Sequence, residues 1–313
     1  MLPLDASNFA TLLEDHDNFL FDCDGVLWKG NQLLAGAAES LTDLKKRGKK
    51  IYYITNNGAS TRAQYAAKCR KLGLPAEEAD IVCTAHFTAL HVKDLLNVSD
   101  FVTPGTGPKI YVMGTPALEL ALTDLGLQCI GNGPDPVPED FLEDDWRAES
   151  LDKDVRAVVV GFDKHISYFK LIKAACYLND PKVHFVATNA DTTFPSSSRD
   201  IIIPGTGCIV GPIVMACGRK PVIIGKPATL MIDHLKEHFY LDVSRSVFIG
   251  DNLHTDIGLA NKCQMKSVLV LSGVSTLVEA KRYAESTAAA DQDFVPTFYL
   301  DDMGTFYSLL LLS

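Results

Sequence analysis

The sequence predicts an α/β fold with largely parallel sheets, divided between two domains. Strand-like apolar runs alternate with helix-like segments along nearly the whole chain, which is typical of such folds. The chain has 313 residues, and a single hydrophobic core seldom serves more than about 250 to 300 residues. Its composition, with 47% hydrophobic and 22% charged residues, is that of an ordinary globular protein.

Strands are predicted where short apolar, β-branched runs mostly end in glycine or a polar cluster, at 49–57, 109–114, 155–163, 183–191, 221–227, 246–252 and 266–273. Helices are predicted between them, at 60–72, 115–126, 167–179, 206–218, 228–239 and 275–285. The stretch 131–154 is rich in proline, glycine and acidic residues and is predicted to lie on the surface. Because ligands of α/β folds bind at the carboxyl ends of strands, the candidate site residues are sought there.

Net charge and cysteine spacing indicate which partners and which cellular compartment to expect. The net charge of -10 and the pI near 5.2 argue against nucleic acid or an anionic membrane as a partner. Residues 1–18 carry acids where a signal peptide would be basic, and the four leucines at 309–312 are far fewer than the roughly 20 residues of a membrane span. The eight cysteines show no C-x-x-C spacing and fit small core residues better than a metal finger or a disulfide framework. We therefore expect a cytoplasmic protein.

The stretch "FLFDCDGVLW" at 19–28 places two aspartates directly after a predicted buried strand. In an extended chain, residues i and i+2 point the same way, so Asp22 and Asp24 share one face at the strand's end. Two such carboxylates repel each other unless a cation lies beside them. A solvated surface turn is the alternative, and the apolar approach to the pair argues against it. Trp28 is expected to pack where the loop turns back.

Other predicted strand ends and the loops after them carry further polar residues, namely Thr55, Asn56, Asn57, Lys226, Asp251 and Asp256. Taken singly, each of these groups has an ordinary explanation as a polar loop, a turn residue or a helix cap. Taken together with the aspartate pair, they supply the parts that phosphoryl transfer through a covalent aspartyl-phosphate requires.

A carboxylate that attacks phosphorus needs a hard cation to screen the repulsion between anions. Mg²⁺ suits this role, and it typically takes one or two carboxylates together with water and phosphate. Asp22 and Asp251 fit as carboxylate ligands, and a backbone carbonyl near Asp24 adds an oxygen. Asp256 would orient a metal-bound water without contacting the metal itself. Lys226 would neutralise the nucleophile and the transferring group.

The neutral residues and the balance of charge complete this hypothesis. Thr55 and Asn56 would donate hydrogen bonds to the phosphoryl oxygens. Four carboxylates against Mg²⁺ and Lys226 leave a net negative charge that opposes a dianionic substrate, so one carboxyl is expected to hold a proton. Asp24 is the candidate, since it could donate that proton to the leaving oxygen and later, once deprotonated, activate water.

The motifs "DCDGVLW", "TNN", "GKP" and "GDNLHTD" resemble, in this order, the four motifs of the haloacid dehalogenase (HAD) superfamily phosphatases. The resemblance implies that Asp22 is the nucleophile and Asp24 the acid and base. It also implies two sets of binding residues. The phosphoryl group would be bound by Thr55, Asn56, Asn57 and Lys226. Mg²⁺ would be bound by Asp22, Asp251 and the carbonyl of Asp24, with Asp256 in support.

The same resemblance extends to the fold and covers nearly the whole chain. It implies a Rossmann-like HAD core with a parallel sheet, formed by 1–107 and 205–313, and an inserted α/β cap domain at 108–204. This cap is similar to that of the branch that includes p-nitrophenyl, phosphoglycolate and pyridoxal phosphate phosphatases. Caps of this branch tend to mediate dimers, so a homodimer through the cap is expected.

Substrate choice is assigned to the cap loop "NADTTFPSSSRD" at 189–200, where Asn189, Asp191, Phe194 and Arg199 are candidate substrate contacts. The loop resembles the phosphoglycolate phosphatase version more closely than the pyridoxal phosphate version, which has a histidine before the proline where this chain has Phe194. The expected substrates are therefore small phosphorylated metabolites such as 2-phosphoglycolate or glycerol 3-phosphate, with p-nitrophenyl phosphate accepted in vitro. One alternative is pyridoxal 5'-phosphate, and another is a non-catalytic phosphate-binding or phosphoacceptor protein.

Overall fold

The computed structural model describes residues 1–100, 102–137, 151–194 and 200–313. In chain order, the strands are β1 (Leu2–Pro3), β2 (Asn18–Asp22), β3 (Trp28–Lys29), β4 (Gln32–Leu33), β5 (Lys50–Thr55), β6 (Ile81–Cys83), β7 (Lys109–Met113), β8 (Gln128–Ile130), β9 (Val155–Val160), β10 (His184–Ala187), β11 (Thr193–Phe194), β12 (Ile203–Pro204), β13 (Val222–Ile223), β14 (Ser246–Gly250), β15 (Lys266–Val270) and β16 (Phe298–Leu300). The helices are α1 (Ala6–Asp15), α2 (Ala37–Lys46), α3 (Arg62–Lys71), α4 (Thr84–Leu95), α5 (Pro116–Asp124), α6 (Tyr168–Leu178), α7 (Gly207–Cys217), α8 (Leu230–Phe239), α9 (Gly258–Lys262), α10 (Leu277–Glu285), α11 (Ala289–Gln292) and α12 (Met303–Leu310). A π-helical turn lies at Leu253–Ile257.

The chain divides into two compact units. The core unit comprises Met1–Thr55, Arg62–Val82 and Lys226–Ser313, and the second unit comprises Asn56–Thr61 and Cys83–Gly225. Each unit is built on its own parallel sheet, with helices in the connections between strands. The predicted α/β class with parallel sheets is therefore confirmed.

The core unit contains a seven-stranded sheet in the order β1-β16-β15-β14-β2-β5-β6. The pairs from β1 across to β5 are parallel. Every residue of the central strands β2 and β14 is buried, which explains why both read as continuous apolar runs rather than as alternating patterns. Because β14, β2 and β5 are parallel neighbours, their carboxyl ends lie along one edge of the sheet.

Aromatic side chains fill the space between this sheet and two helices of the core unit. The ring of Phe306 on α12 lies 5.0 Å from that of Phe9 on α1, at 88°, and 6.3 Å from that of Phe21 on β2. All three side chains are fully buried. Edge-to-face packing of this kind adds to the stabilisation that burial of the rings supplies.

The second unit contains a five-stranded sheet in the order β13-β10-β9-β7-β8, with every neighbouring pair parallel. Helices α6 and α7 pack on each other. Their apolar faces meet the sheet in one cluster that includes Val158, Tyr177, Phe185 and Ile213. The short strands β11 and β12 form a separate antiparallel pair.

The observed strands and helices include all those predicted from the sequence. Each of the seven predicted strand segments contains a strand, and each of the six predicted helical segments contains a helix. The observed elements are shorter, because glycine and polar residues at the predicted ends belong to turns. Several elements were not among those predicted, namely α1, α2, α4, α9, α11 and α12 and the strands β1, β3, β4, β6, β8, β11, β12 and β16.

The compact units divide the chain at different points from the predicted domain boundaries at 107/108 and 204/205. The longer segment of the second unit runs from Cys83 to Gly225. It extends so far because α4 packs on α5, and because β13 pairs with β10 after α7 has packed on α6. The assignment of 108–204 as a cap and of the remainder as a core stays a prediction.

Two further predictions concern exposure and membranes. The described parts of the 131–154 stretch, 131–137 and 151–154, are at least partly exposed, and residues 138–150 lie outside the described residues. Within the described ranges, no helix is long and apolar enough to cross a membrane.

The packing of Phe306 yields a stability prediction. Phe306→Ala should lower the free energy of unfolding by about 3 to 5 kcal/mol, because it removes a buried ring and leaves a cavity between α12, α1 and β2. The measurement is urea denaturation monitored by circular dichroism. Leu312→Ala is the control, since Leu312 is exposed and its truncation should change the value by less than about 0.5 kcal/mol. Equal, small effects of both substitutions would contradict the assigned core.

Candidate active site

Three neighbouring strands of the core unit end on residues that the sequence singled out. Asp22 is the last residue of β2, Thr55 is the last residue of β5, and Asp251 follows β14 directly. All three are buried. The order β14-β2-β5 brings them to one edge of the sheet, as the carboxyl ends of parallel strands require.

Lys226 lies between two of the carboxylates. Its Nζ is 2.5 Å from Oδ1 of Asp22 and 2.9 Å from Oδ1 of Asp256. The same atom lies 3.4 Å from the carbonyl oxygen of Ile54. The lysine side chain is only 4% exposed, so its charge depends on these partners rather than on water. The predicted pairing of Lys226 with Asp22 is therefore present, and a second carboxylate shares the lysine.

The backbone fixes the two acidic groups that follow β14. Oδ2 of Asp256 accepts hydrogen bonds from the N–H groups of Asp251 and Asn252, both at 3.1 Å. The π-helical turn at Leu253–Ile257 brings Asp256 back to the end of β14. Oδ2 of Asp251 accepts a hydrogen bond of 2.8 Å from the N–H of Val274. Main-chain N–H groups thus fix the position of both carboxylates.

The close approach of two loops to Asp251 requires glycine. A Cβ on Gly25 or on Gly273 would collide with Oδ2 of Asp251. Gly25 also has a φ of 91°, which is in the left-handed region that glycine tolerates best. The glycine after the two aspartates of "DCDG" therefore allows the loop that follows β2 to approach the carboxylate of Asp251 closely.

Burial and mutual repulsion shift the pKa values of these groups. Burial raises the pKa of Asp22 well above its usual range, against the opposing pull of Lys226, and repulsion from Asp256 and Asp251 adds to the rise. Burial and repulsion from Asp256 raise the pKa of Asp251 to about 7. Burial alone would lower the pKa of Lys226, but attraction to Asp22 and Asp256 leaves it above the ordinary value, so the lysine stays charged.

This cluster fits a divalent cation with oxygen ligands. Asp22, Asp251 and Asp256 each offer a carboxylate oxygen, and the three oxygens lie within 4.8 Å of one another. Among these described residues, Lys226 supplies one positive charge against three carboxylates. Buried charges without partners are costly, and the raised pKa values of Asp22 and Asp251 reflect that cost. Hard cations prefer such carboxylate oxygens.

The carboxyl of Asp24 lies outside this three-carboxylate cluster and has a different partner. Its Oδ1 accepts a hydrogen bond of 3.0 Å from Nε1–H of Trp28. Burial raises the pKa of Asp24, while Lys68 and the Trp28 hydrogen bond oppose the rise. A carboxyl in this setting suits proton transfer better than metal binding through its side chain. The sequence predicted packing for Trp28, and it is buried, but the hydrogen bond was missed.

Other predicted site residues form a polar cluster within the second unit. Nδ2 of Asn56 donates to both carboxylate oxygens of Asp191, at 3.1 and 3.3 Å. Nδ2 of Asn189 donates to Oδ2 of Asp191 at 2.6 Å. Asp191 thus holds the amide of Asn56, a contact that the sequence did not predict. Oδ1 of Asn57 accepts from the N–H of Ala59 at 2.9 Å, which shapes the turn after the "TNN" motif.

The other two predicted substrate contacts are Phe194 and Arg199. The ring of Phe194 on β11 packs on that of Phe162, with centroids 4.8 Å apart and planes at 32°. Arg199 lies outside the described residues. Their roles in substrate binding, like those of Asn189 and Asp191, stay predictions.

Comparisons with known proteins identify the family of the chain. A family model described as haloacid dehalogenase-like hydrolase matches residues 19–128, and a second, described as HAD-hydrolase-like, matches residues 223–303. The chain is 42% identical over 305 residues to the glycerol-3-phosphate phosphatase of Homo sapiens, covering 96% of this chain and 92% of that protein. It is 36% identical over 278 residues to phosphoglycolate phosphatase 2 of Arabidopsis thaliana, covering 87% and 88%.

The fold gives the same result. The structure is similar to that of a glycerol phosphate phosphatase from Mycobacterium tuberculosis in complex with magnesium, with a TM-score of 0.72 and 25% identity. The match covers 96% of this chain and 77% of that one. Both family models include residues of the candidate site, Asp22 in the first and Lys226 and Asp251 in the second. The chain therefore belongs to the haloacid dehalogenase-like hydrolases.

Proposed function

We propose that the chain is a magnesium-dependent phosphatase that hydrolyses small phosphate monoesters, with glycerol 3-phosphate or 2-phosphoglycolate as its substrate. The observation that carries this proposal is the contact of Lys226 with Asp22 and Asp256, beside a third buried carboxylate from Asp251. A lysine held against an aspartate at a strand's end can neutralise a phosphoryl group as that aspartate attacks it. Relatives named as phosphatases along nearly the whole chain support the proposal.

In the first half-reaction, a carboxylate oxygen of Asp22 attacks phosphorus. The new bond joins that oxygen to phosphorus while the bond from phosphorus to the leaving alcohol breaks. Asp24 gives its proton to the leaving oxygen, which departs as the neutral alcohol. Lys226 offsets negative charge on Asp22 and on the transferring group. The product on the protein is an aspartyl-phosphate at Asp22.

In the second half-reaction, water hydrolyses this aspartyl-phosphate. Asp24, now deprotonated, takes a proton from water as the water oxygen forms a bond to phosphorus. The bond between phosphorus and Asp22 breaks, so inorganic phosphate leaves and the carboxylate is restored. Asp24 ends the cycle protonated and ready for the next ester. Two roles for one carboxyl follow from its position beside the nucleophile.

The metal would be held by residues of the same cluster. Asp22 and Asp251, with the main-chain carbonyl of Asp24, would bind Mg²⁺, which would screen the negative charge of the phosphoryl group from the carboxylates. Asp256 contributes indirectly, because it holds Lys226 and the N–H of Asp251. A magnesium complex of a similar structure supports this choice of metal.

Substrate recognition is assigned to neutral hydrogen-bond donors. Thr55, Asn56 and Asn57 are proposed to bind the phosphoryl oxygens. Because the net charge is -10, an anionic substrate must rely on local donors rather than on the field of the whole protein. The named activities of the relatives support small aliphatic esters. We also propose a cytoplasmic location and a homodimer through residues 108–204. Sedimentation equilibrium would test the dimer.

The substrate assignment predicts a ranking of esters. Mg²⁺-dependent phosphate release should show higher kcat/KM for glycerol 3-phosphate and 2-phosphoglycolate than for pyridoxal 5'-phosphate, and p-nitrophenyl phosphate should also be turned over. Asp22→Asn serves as the blank, because it removes the nucleophile and should abolish activity. A preference for pyridoxal 5'-phosphate would overturn the substrate assignment. Wild-type activity in Asp22→Asn, or no turnover of any ester, would overturn the catalytic one.

The metal assignment predicts a difference between two matched substitutions. A ligand that binds only the folded state at 100 times its dissociation constant stabilises that state by about 2.7 kcal/mol. Mg²⁺ should therefore raise the melting temperature of the wild type by a few degrees, as measured by scanning calorimetry. Asp251→Asn should lose this rise, because it removes a charged ligand.

Asp24→Asn is the control for this experiment. It makes the same chemical change beside the same cluster but leaves the main-chain carbonyl in place, so the rise in melting temperature should be retained. Each variant is compared with itself without Mg²⁺, so differences in intrinsic stability cancel. A rise retained in Asp251→Asn, or lost in Asp24→Asn, would contradict the assigned ligands.

A further inference from the structure

Trp28 contacts the proposed acid directly. Its indole Nε1–H donates a hydrogen bond of 3.0 Å to Oδ1 of Asp24, and its ring is fully buried in the core unit. The other oxygen of Asp24, Oδ2, accepts no hydrogen bond from any residue that the structure describes. The two oxygens of the carboxyl therefore differ: one is held by the protein, and the other is left for a reacting group.

The backbone of the loop fixes the donor in place. The carbonyl oxygen of Cys23 accepts hydrogen bonds from the N–H groups of Leu27, at 2.9 Å, and Trp28, at 3.2 Å. The N–H of Gly25 donates to the carbonyl oxygen of Trp28 at 2.8 Å. These bonds close the chain into a tight loop that returns the indole to Asp24. A rigid donor restricts the rotation of the carboxyl that it holds.

A cation covers the indole. Nζ of Lys68, on α3, lies 4.3 Å from the centroid of the Trp28 ring. Such a cation is attracted to the electron-rich face of the ring. It also draws electron density from the indole, which makes the N–H a stronger donor. The three groups Lys68, Trp28 and Asp24 form a continuous series of contacts that ends at the proposed acid.

We propose that Trp28 is a positioning residue for Asp24: it holds Oδ1 so that Oδ2 carries the proton to the leaving oxygen, and Lys68 supports the indole in this role. The inference deepens the proposed function and rests on it. Trp28 itself touches no reacting atom. Its effect on the reaction passes entirely through the orientation of the carboxyl.

This role predicts a dependence on the leaving group. As the bond from phosphorus to the leaving oxygen breaks, negative charge develops on that oxygen and the proton of Asp24 neutralises it. A glycerol alkoxide is strongly basic and needs this proton. A p-nitrophenolate is weakly basic, since its ring delocalises the charge, and it departs without much help. Misplacing Asp24 should therefore harm the alkyl ester far more than the aryl ester.

The test is the substitution Trp28→Phe, which keeps a buried aromatic ring but removes the N–H donor. We expect kcat/KM for glycerol 3-phosphate to fall by about tenfold to a hundredfold, because small errors in the placement of a catalytic group have effects of this size. For p-nitrophenyl phosphate, the expected fall is less than about threefold, because general acid catalysis contributes little there. The ratio kcat/KM is used because it reports the step in which the leaving group departs.

Tyr53→Phe is the matched control. Tyr53 is buried in β5, and its hydroxyl donates to the carbonyl oxygen of Pro75 at 3.2 Å. The substitution therefore removes one hydrogen bond from a buried aromatic side chain of the same unit, and this bond does not involve Asp24. It should leave the ratio of the two kcat/KM values unchanged. A change in that ratio confined to Trp28→Phe would separate positioning from a general loss of stability.

The outcomes distinguish this inference from the proposed function. If the wild type hydrolyses both esters and Trp28→Phe lowers both kcat/KM values equally, the positioning role is wrong and the phosphatase assignment stands. If the wild type hydrolyses neither ester, the proposed function itself fails. A selective loss on the alkyl ester supports both.

A spectroscopic measurement covers the case in which Trp28→Phe does not fold. The chain contains two tryptophans, so a ¹⁵N–¹H correlation spectrum has two indole N–H signals, and Trp146→Phe assigns the one from Trp28. In the metal-free protein, Asp24→Ala should shift the Trp28 indole signal upfield, because its hydrogen bond is lost. An unchanged signal would overturn the proposed contact without any assay of activity.

Discussion

The contact of Lys226 with Asp22 and Asp256 is the interaction on which the rest of the site depends. One lysine cannot neutralise three buried carboxylates, so the cluster with Asp251 stays short of positive charge. Burial, together with repulsion among the carboxylates, raises the pKa values of Asp22 and Asp251. Under the proposed function, a divalent cation would supply the missing charge, so that the same cluster could also accept an anionic substrate.

The fold meets this demand through the topology of its sheet. Neighbouring parallel strands β14, β2 and β5 deliver Asp251, Asp22 and Thr55 to one edge from distant parts of the sequence. Glycines 25 and 273 let two loops approach Asp251 more closely than any side chain would permit. Backbone N–H groups and the Trp28 indole then hold the individual carboxylates. These hydrogen bonds offset part of the cost of burying the carboxylates and fix their positions. Catalysis by preorganised polar groups requires such fixed positions.

Much of this arrangement could be predicted from the sequence, because strand ends in a parallel sheet converge and the apolar runs mark the strands. Asp22, Lys226 and Asp251 were identified in this way. The hydrogen bond from Trp28 to Asp24 could not be predicted, since it depends on the path of a loop and not on a periodic pattern. The contact of Asp191 with Asn56 joins residues 135 positions apart. The second unit comprises Asn56–Thr61 and Cys83–Gly225. Its extent depends on how the helices pack, which cannot be predicted from composition.

The central claim is that Asp22 carries the phosphoryl group between two displacements, and direct labelling tests it. Asp24→Asn should slow hydrolysis of the phosphorylated protein but permit its formation from an ester with a good leaving group, so the label should accumulate. The variant is mixed with ³²P-labelled p-nitrophenyl phosphate and Mg²⁺, quenched with acid and digested. The account predicts a hydroxylamine-sensitive label on the peptide that contains Asp22. Release of p-nitrophenol without any label, or a label on another residue, would contradict it.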